Sequence, residues 1–279
     1  MLRYAQVMVD GRRIHYATEG QGAPLLLLHG APFDHQMWAP AIPYLSGNFR
    51  IVAPDLPGYG RSELADQDGT PDALIRTLAG FMTSVRIVPS FVAGASFGGG
   101  AALGLAARHP ERVRALVAVG SLGVEHWPRT LQGRLARAAR GLPGALALGM
   151  RLAPRAQARW FLRSTLNDRQ LAAGALVEQV AATLRSSTGR RTLIHTLRKL
   201  DAWPAVIRQL GGIRAPTLLV WGERDAVYGL PAAEHLRHAI PGSRLVTIAG
   251  AGHLLPIERP VELAEVMRRF LVPLAKGRA

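Results

Sequence analysis

Three side chains in this sequence have the types and the order needed to turn a hydroxyl group into a nucleophile. Ser96 lies in the run G-A-S-F-G at 94–98, where a β-rich stretch gives way to an alanine- and glycine-rich one. A serine at such a strand-to-helix turn presents its hydroxyl above the sheet, at the positive end of the next helix. That hydroxyl is reactive only if a base accepts its proton and an anion stabilises the base.

Two late turns offer the base and the anion. Asp225 follows one apolar run, and His253 lies in a glycine-bracketed turn after the next. Reacting groups of open α/β sheets gather at the carboxyl ends of strands, so the sequence predicts a site with the chain order Ser96, Asp225, His253. Glu223 competes with Asp225 for the role of the acid. We favour Asp225 because Glu223 can pair with Arg224 or face solvent.

The remaining titratable residues suit structural roles better than chemical ones. His235 and His238 stand three residues apart near a helix, but no third ligand accompanies them, so no metal site is predicted. His29 ends a strand and is expected to brace the adjacent loop. Asp55 ends another strand in a Pro- and Gly-rich turn. The sequence has no Cys, which excludes disulfides, thiolate metal sites and a cysteine nucleophile.

The elements that must position these residues alternate between strand and helix. Residues 4–18 form a predicted hairpin around Asp10-Gly11, and helices are predicted at 71–85 and 260–271. The alternation favours a doubly wound, mostly parallel α/β sheet with right-handed crossovers. The predicted strands after the hairpin are 24–30, 50–55, 91–93, 113–120, 217–222 and 244–249.

Between Ser121 and Gly211 the alternation stops, and the chain becomes helix-prone and rich in arginine. We therefore predict a core domain made of residues 1–120 and 211–279. Residues 121–210 would form a helical cap, or lid, inserted after the sixth strand. The longest uncharged run, 87–107, has the length of a membrane span, but its Pro, Ser and Gly residues fit a buried strand, turn and helix better.

The chain is strongly basic, with a net charge of +15, and 32 of its 34 basic residues are arginine. The predicted lid holds 14 Arg and one Lys against four acidic residues, a net +11. No nucleic-acid motif accompanies this charge, so no nucleic-acid partner is predicted. Compositional bias with solvated arginines is the favoured interpretation. Attraction of an anionic substrate and an amphipathic stretch at 130–140 lying on a membrane stay open.

The N-terminus lacks the apolar core of a signal peptide. We therefore expect a cytoplasmic protein without stable membrane association. The sequence leaves the oligomeric state open.

Taken together, the motifs resemble those of the α/β-hydrolase superfamily over nearly the full length of the chain. They are H-G-A-P at 29–32, P-D-L-P-G-Y-G-R-S at 54–62, G-A-S-F-G at 94–98, G-E-R-D at 222–225 and G-A-G-H at 250–253. The resemblance implies Ser96 as nucleophile, Asp225 as acid and His253 as base. It also implies an oxyanion hole at the backbone N–H groups of Ala31 and Phe97.

Departures from the family patterns narrow the expected chemistry. Haloalkane dehalogenases and epoxide hydrolases use an Asp nucleophile, which Ser96 argues against. C–C bond hydrolases tend to carry Trp after the catalytic His, where this chain has Leu254. The stretch 29–38 is most similar to small esterases and cofactor-free haloperoxidases.

The predicted activity is hydrolysis of a carboxylic ester, thioester or lactone of a small molecule, with no cofactor and no metal. A perhydrolase, a C–C bond hydrolase and an acyltransferase with the same triad remain alternatives, and a non-catalytic ligand-binding protein is a further one. The residues expected to line the substrate pocket are Phe33, Trp38, Phe97 and Leu254.

Overall fold

The structure is a computed structural model of the 279-residue chain, and it describes residues 1–64, 70–123, 130–139 and 141–277. An eight-stranded sheet runs through it in the order β1-β2-β4-β3-β5-β6-β7-β8. The β1–β2 and β2–β4 pairs are antiparallel, and the other pairs are parallel. The strands are β1 Arg3–Val9, β2 Arg12–Glu19, β3 Ala23–Leu28, β4 Phe49–Pro54, β5 Ser90–Ala95, β6 Val113–Val119, β7 Thr217–Gly222 and β8 Arg244–Ile248.

Helices cover both faces of this sheet and fill the interval between β6 and β7. The α-helices are α1 Ile42–Leu45, α2 Pro71–Ser84, α3 Phe97–Arg108, α4 Leu131–Ala139, α5 Pro143–Arg151, α6 Pro154–Thr165, α7 Gly174–Arg185, α8 Ser187–Lys199, α9 Pro204–Ile207, α10 Gly229–Ala239, α11 Leu255–Glu258 and α12 Pro260–Ala275. Short 3-10 turns occur at His35–Trp38, Pro110–Arg112, Arg169–Leu171, Leu200–Ala202 and Leu210–Gly212.

The central strands are continuous apolar runs because each of their faces is covered. All six residues of β5 are buried. Leu26 and Val92 point into a core shared with α2 and α3, whereas Leu25 and Phe91 point into a second core shared with α1 and α12. This alternation follows from the two-residue period of a strand. The sheet is therefore the rigid platform from which the loops at its carboxyl edge project.

The hairpin, the strand runs and the helix at 71–85 predicted from the sequence are confirmed to within a few residues. Thr70 caps α2 by accepting a hydrogen bond from the Ala73 N–H, and Pro71 opens the helix. The uncharged run at 87–107 folds as β5 and α3. No described helix combines the length and the apolar character that a membrane crossing requires.

One predicted boundary is wrong. The last helix was expected to end at residue 271, but α12 continues to Ala275 and contains Pro273. The final turn is held because Leu274 packs against the core and its carbonyl accepts a hydrogen bond from Arg114.

Helices α4 to α9 lie between β6 and β7, where the sequence analysis places the lid. The limits of the lid as a separate domain stay a prediction. Of the expected stretch 121–210, residues 124–129 and 140 lie outside the described residues. The predicted amphipathic stretch 130–140 corresponds to α4, and its last residue is one of those not described.

Candidate active site

Ser96 lies between the end of β5 and the start of α3, in a strained backbone conformation. Its φ is 53° and its ψ is −118°, a region that residues with side chains rarely adopt. The neighbouring glycines make the turn possible. A Cβ on Gly98 would collide with the backbone oxygens of Leu28 and His29, and one on Gly94 would collide with the backbone of Gly98. The turn therefore brings the Ser96 hydroxyl to the edge of the sheet.

The structure brings the three side chains expected to do chemistry together. The Ser96 Oγ lies 2.9 Å from His253 Nε2, and His253 Nδ1 lies 2.9 Å from Asp225 Oδ2. His253 and Asp225 are both buried. The second oxygen of Asp225 accepts hydrogen bonds from the N–H groups of Val227 and Tyr228, at 2.8 and 3.1 Å. This unbroken chain of hydrogen bonds can pass a proton from Ser96 to His253.

The electrostatics of Asp225 suit it to hold the imidazole. Burial alone would raise the pKa of this carboxyl, but the charge and hydrogen bond of His253 and two backbone N–H donors hold its pKa below the usual value. Asp225 is therefore ionised at neutral pH and accepts a hydrogen bond from the N–H at His253 Nδ1. This tautomer leaves Nε2 free to accept the Ser96 proton.

Glu223, the competing acid, lies elsewhere. Its side chain is exposed and accepts a hydrogen bond from the Gly250 N–H at 2.9 Å. It braces the turn that leads to His253.

Two further contacts fix the position of His253. Its backbone N–H donates to the carbonyl of Thr165, the last residue of α6, at 2.8 Å. Gly120, with a φ of +47°, lies beneath the imidazole, where a Cβ would be 3.2 Å from His253 Nδ1. The His253 side chain therefore lies between the end of α6 on one side and the end of β6 on the other.

The backbone N–H groups of Ala31 and Phe97 are placed to receive a developing negative charge. Both residues border the same cavity as Ser96. In the part of the chain that the structure describes, neither N–H donates a hydrogen bond. Phe97 is the first residue of α3, so its N–H is one of the unsatisfied donors of a helix N-terminus. Two such donors beside a serine hydroxyl are what an oxyanion hole requires, and that role for Ala31 and Phe97 stays a prediction.

The loop that carries Ala31 is anchored by buried polar contacts beneath it. His29 Nε2 accepts a hydrogen bond from the Leu56 N–H at 2.9 Å, so His29 braces this loop as expected. Thr183 of α7 donates to the carbonyl of Pro32 at 3.1 Å. The loop therefore contacts both the sheet edge and the lid helices.

Asp55 is the centre of a second buried network. Its fully buried carboxylate accepts hydrogen bonds from the backbone and Nδ1 of His35 (2.9 and 2.6 Å), from His15 Nδ1 (3.2 Å) and from the Arg61 N–H (2.9 Å). Burial alone would raise the pKa of Asp55, but these donors lower it to about 2. Burial alone would lower the pKa of His35, but its hydrogen bond to Asp55 raises it. Asp55 therefore ties the oxyanion loop to the end of β4.

Within the described ranges, His15, His35 and Asp55 also form the one group of three side chains whose ligand atoms are close enough to hold a metal ion, within 4.8 Å of one another. The hydrogen bonds to Asp55 account for this cluster. His238, considered above with His235, bonds instead to the carbonyl of Glu234 in its own helix.

Tyr228 is the main site residue that the sequence analysis missed. Its ring packs edge-on against His253 with centroids 5.5 Å apart, its N–H donates to Asp225, and its hydroxyl faces Ser96. Burial and the neighbouring Asp225 carboxylate raise its pKa far above the ordinary value, so it stays a neutral donor. The sequence offered one sign of this contact, because Tyr228 is an aromatic residue only three positions after Asp225.

A cavity of about 470 Å³ opens above Ser96, between the sheet edge and the lid helices. This volume is typical of small-molecule sites, which measure roughly 300–1,000 Å³. The described lining is apolar apart from a few hydroxyls, one amide and His253, and it includes no Arg, Lys, Asp or Glu. The lid contributes most of it, through residues such as Leu135, Leu146, Met150, Trp160, Phe161 and Leu197.

Three of the four predicted pocket residues are wrong. Phe97 lines the cavity, but Phe33, Trp38 and Leu254 do not. Each is at most 1 % exposed and belongs to the core beneath the site. The indole N–H of Trp38 donates to the carbonyl of Leu28, which fixes the ring inside. These residues flank the site along the chain, but their side chains are enclosed in the core, where the Phe33 ring lies 6.2 Å from that of Phe161 in α6.

Comparison with known proteins gives one family and several relatives. The family model described as the alpha/beta hydrolase fold matches residues 23–260. A 2-hydroxymuconate semialdehyde hydrolase of Pseudomonas putida is 30% identical, over 95% of this chain and 93% of that protein. A pimeloyl-[acyl-carrier protein] methyl ester esterase of Aeromonas hydrophila is 28% identical, over 90% and 96%. The crystal structure of Cfl2 from Burkholderia cenocepacia superimposes with a TM-score of 0.85 at 27% identity, over 96% and 95%.

Proposed function

The chain belongs to the α/β-hydrolase family, and from that premise we propose that it is a serine hydrolase that cleaves a carboxylic ester of a small molecule through an acyl-enzyme on Ser96. The observation that carries the proposal is the hydrogen-bonded sequence Ser96, His253, Asp225, with 2.9 Å at each link, at the base of the cavity. A relative with hydrolase activity on a methyl ester supports it.

In the first half of the reaction, Ser96 Oγ attacks the ester carbonyl carbon while its proton moves to His253 Nε2. Asp225 stabilises the imidazolium that forms. The carbonyl oxygen, now negative, accepts hydrogen bonds from the N–H groups of Ala31 and Phe97. Each such donor is typically worth about 3 kcal/mol in the transition state. His253 then gives its proton to the departing alcohol, which leaves an ester on Ser96.

In the second half, water takes the place of the alcohol. His253 removes a proton from this water, which attacks the acyl carbon and re-forms the tetrahedral intermediate in the same oxyanion hole. Ser96 Oγ leaves and recovers a proton from His253. The products are a carboxylic acid and the free enzyme.

The cavity favours a neutral, apolar acyl group. Its described lining offers no cation, and an unpaired carboxylate inside an apolar site pays a large desolvation cost. A C–C bond hydrolase is the second candidate, because a 2-hydroxymuconate semialdehyde hydrolase is among the relatives. The name of that substrate denotes a carboxylate, for which this lining supplies no partner. We therefore place ester hydrolysis first.

Fluorophosphonate labelling tests the nucleophile. Wild-type protein and the control Ser84→Ala, which removes an exposed hydroxyl on α2, should both be labelled, and Ser96→Ala should not. Labelling that survives in Ser96→Ala would refute the assignment.

A panel of p-nitrophenyl esters from acetate to dodecanoate, run beside a conjugated semialdehyde carboxylate, tests the bond that is cleaved. Ester turnover with no cleavage of the carboxylate is expected. The reverse result would establish the C–C hydrolase. Added alcohol or peroxide separates acyl transfer and perhydrolysis from hydrolysis by their products.

A further inference from the structure

The lid carries an apolar surface that nothing in the described chain covers. Helix α5 is almost entirely apolar, yet none of its residues is buried. A helix that is apolar on all sides is normally enclosed by protein or by lipid. Seven of the thirteen large, exposed hydrophobic side chains among the described residues lie between 131 and 171. We define the apolar lid face as six of these: Leu131, Leu135, Leu142, Leu148, Leu152 and Trp160, which are 42–63% exposed.

The face is one surface because its helices pack on one another. Helix α5 packs against both α4 and α6. The side-chain amide of Gln157 in α6 donates to the carbonyls of Gly149 and Leu152, which ties the end of α5 to α6. The face therefore moves with the lid as a unit and does not consist of isolated leucines.

The charge around the face is predominantly positive, although Glu178 of α7 pairs with Arg155 at 2.6 Å. Residues 130–167 contain seven Arg and no acidic residue. The described arginines of this stretch are exposed: Arg134, Arg137, Arg151, Arg155, Arg159 and Arg163. A second copy of this chain would present the same positive charge and be repelled. An anionic surface would be attracted, by about 1 kcal/mol for each arginine close to a negatively charged bilayer.

The mouth of the cavity lies within the same face. Leu135 and Trp160 are exposed, at 53% and 42%, and they also line the cavity above Ser96. An acyl chain dissolved in a bilayer could therefore enter the cavity without crossing water. Passage through water would cost about 0.8 kcal/mol for each methylene group. This continuity favours a lipid surface over an acidic protein as the occupant.

From these observations we infer that the apolar lid face docks reversibly on an anionic lipid bilayer and that the enzyme takes its acyl ester from that bilayer. The inferred docking on a bilayer depends only on the structure of the lid. The inferred uptake of an acyl ester from that bilayer rests on the proposed ester hydrolysis. The inference departs from the sequence-based expectation of no stable membrane association. That expectation rested on the lack of an apolar signal-peptide core in the N-terminal sequence, whereas the exposure of the lid leucines is a property of the fold.

Co-sedimentation with vesicles tests the docking. The wild-type protein should bind phosphatidylcholine vesicles that contain phosphatidylglycerol at least tenfold more tightly than pure phosphatidylcholine vesicles, and high salt should weaken the binding. The double variant Leu148→Ser, Leu152→Ser should lose at least tenfold of this affinity. Neither residue lines the cavity, so hydrolysis of p-nitrophenyl acetate in solution should be unchanged. Val261→Ser, which removes an exposed side chain on α12, is the matched control and should bind as wild type does.

Equal binding by the wild type and the double variant, or no preference for anionic vesicles, would overturn the inference. Dimerisation that depends on Leu148 and Leu152, measured by light scattering, would instead make the face a contact between copies and equally overturn it.

A long-chain p-nitrophenyl ester carried in anionic vesicles tests the substrate. Its hydrolysis should be at least tenfold faster than in neutral vesicles for the wild type, but not for the double variant. If vesicle binding occurs but every ester is inert and Ser96 is not labelled, the proposed function fails and the docking stands. If esters are cleaved in solution with no vesicle effect, the function stands and the inference fails.

Discussion

Replacing Tyr228 with Phe should slow the second half of the reaction more than the first. The ring should keep its edge-on contact with His253, and the backbone N–H should keep its bond to Asp225, so the substitution removes only the hydroxyl next to Ser96. The proton of Ser96 is directed at His253 Nε2. The Tyr228 hydroxyl can therefore act only as a donor toward Oγ.

The magnitude follows from the charge on Oγ at each stage. In the free enzyme Oγ can already accept a hydrogen bond from this hydroxyl, so attack on the ester gains little from it. In the acyl-enzyme Oγ is a weakly accepting ester oxygen, and it becomes negative as it leaves. A hydrogen bond to a charged group is worth about 1.5–3 kcal/mol, against about 0.5–1.5 for a neutral pair. The difference of about 1.4 kcal/mol predicts a roughly tenfold lower kcat, with kcat/KM changed less than about threefold.

Stopped-flow release of p-nitrophenolate measures this separation. In Tyr228→Phe, a burst close to one equivalent of enzyme should precede a slow steady state, and KM should fall together with kcat. The effect should not vary between about pH 6 and 9, because burial keeps the pKa of Tyr228 well above that range. Tyr16→Phe, whose ring packs against Phe81 far from the cavity, should behave as wild type. A parallel fall of kcat and kcat/KM without a burst would refute the argument.

Three other substitutions test the framework of the site. Asp225→Asn should lower kcat by roughly 10³–10⁴ without unfolding the protein, because a neutral amide cannot stabilise the imidazolium; ester kinetics and circular dichroism check both parts. Asp55→Ala should lower the free energy of unfolding by about 3 kcal/mol at pH 7, since buried donors lose their partner. The folded pKa of Asp55 is about 2 and its ordinary value is 3.8, so its stabilisation is present above about pH 4. The difference between wild type and variant in urea unfolding should therefore shrink as pH falls from 4 toward 2. Gly98→Ala should lower the melting temperature sharply, because its Cβ meets backbone oxygens, whereas Gly141→Ala, which has open space around it, should not.

The positions of Ser96, Asp225 and His253 could be anticipated because the carboxyl ends of parallel strands lie at one edge of a sheet. Each residue follows a buried apolar run, and β5, β7 and the turn after β8 end at the same edge of the sheet. The structure places the three in contact, as this reasoning expects. Continuous apolar runs followed by glycines are strong local signals, so this part of the site needs little knowledge of distant packing.

The substrate cavity could not be anticipated in the same way. Its lining comes mainly from α4 to α8, and their placement depends on how lid helices cross one another. Phe33 and Trp38 stand next to the oxyanion loop in the sequence, and that proximity suggested a pocket. The structure turns both inward, because Trp38 finds a buried carbonyl acceptor at Leu28 and Phe33 joins the core. Closeness along the chain was a poor guide to which face a side chain takes.

Apolar residues at helical spacing ordinarily predict a buried helix face, but the leucines of the apolar lid face are exposed. The sequence pattern alone therefore could not identify this surface. The exposure of these leucines matters for the chemistry because one helix connects them to the base. Trp160 of α6 lies in the apolar lid face, and Thr165, five residues later in α6, accepts the hydrogen bond from the His253 N–H. The two residues are about 7.5 Å apart along the helix axis, so a surface that positions Trp160 also bears on the turn that carries His253. The proposed proton acceptor and the proposed lipid contact are thus linked through α6, so the helices between β6 and β7 help to position the site as well as cover it.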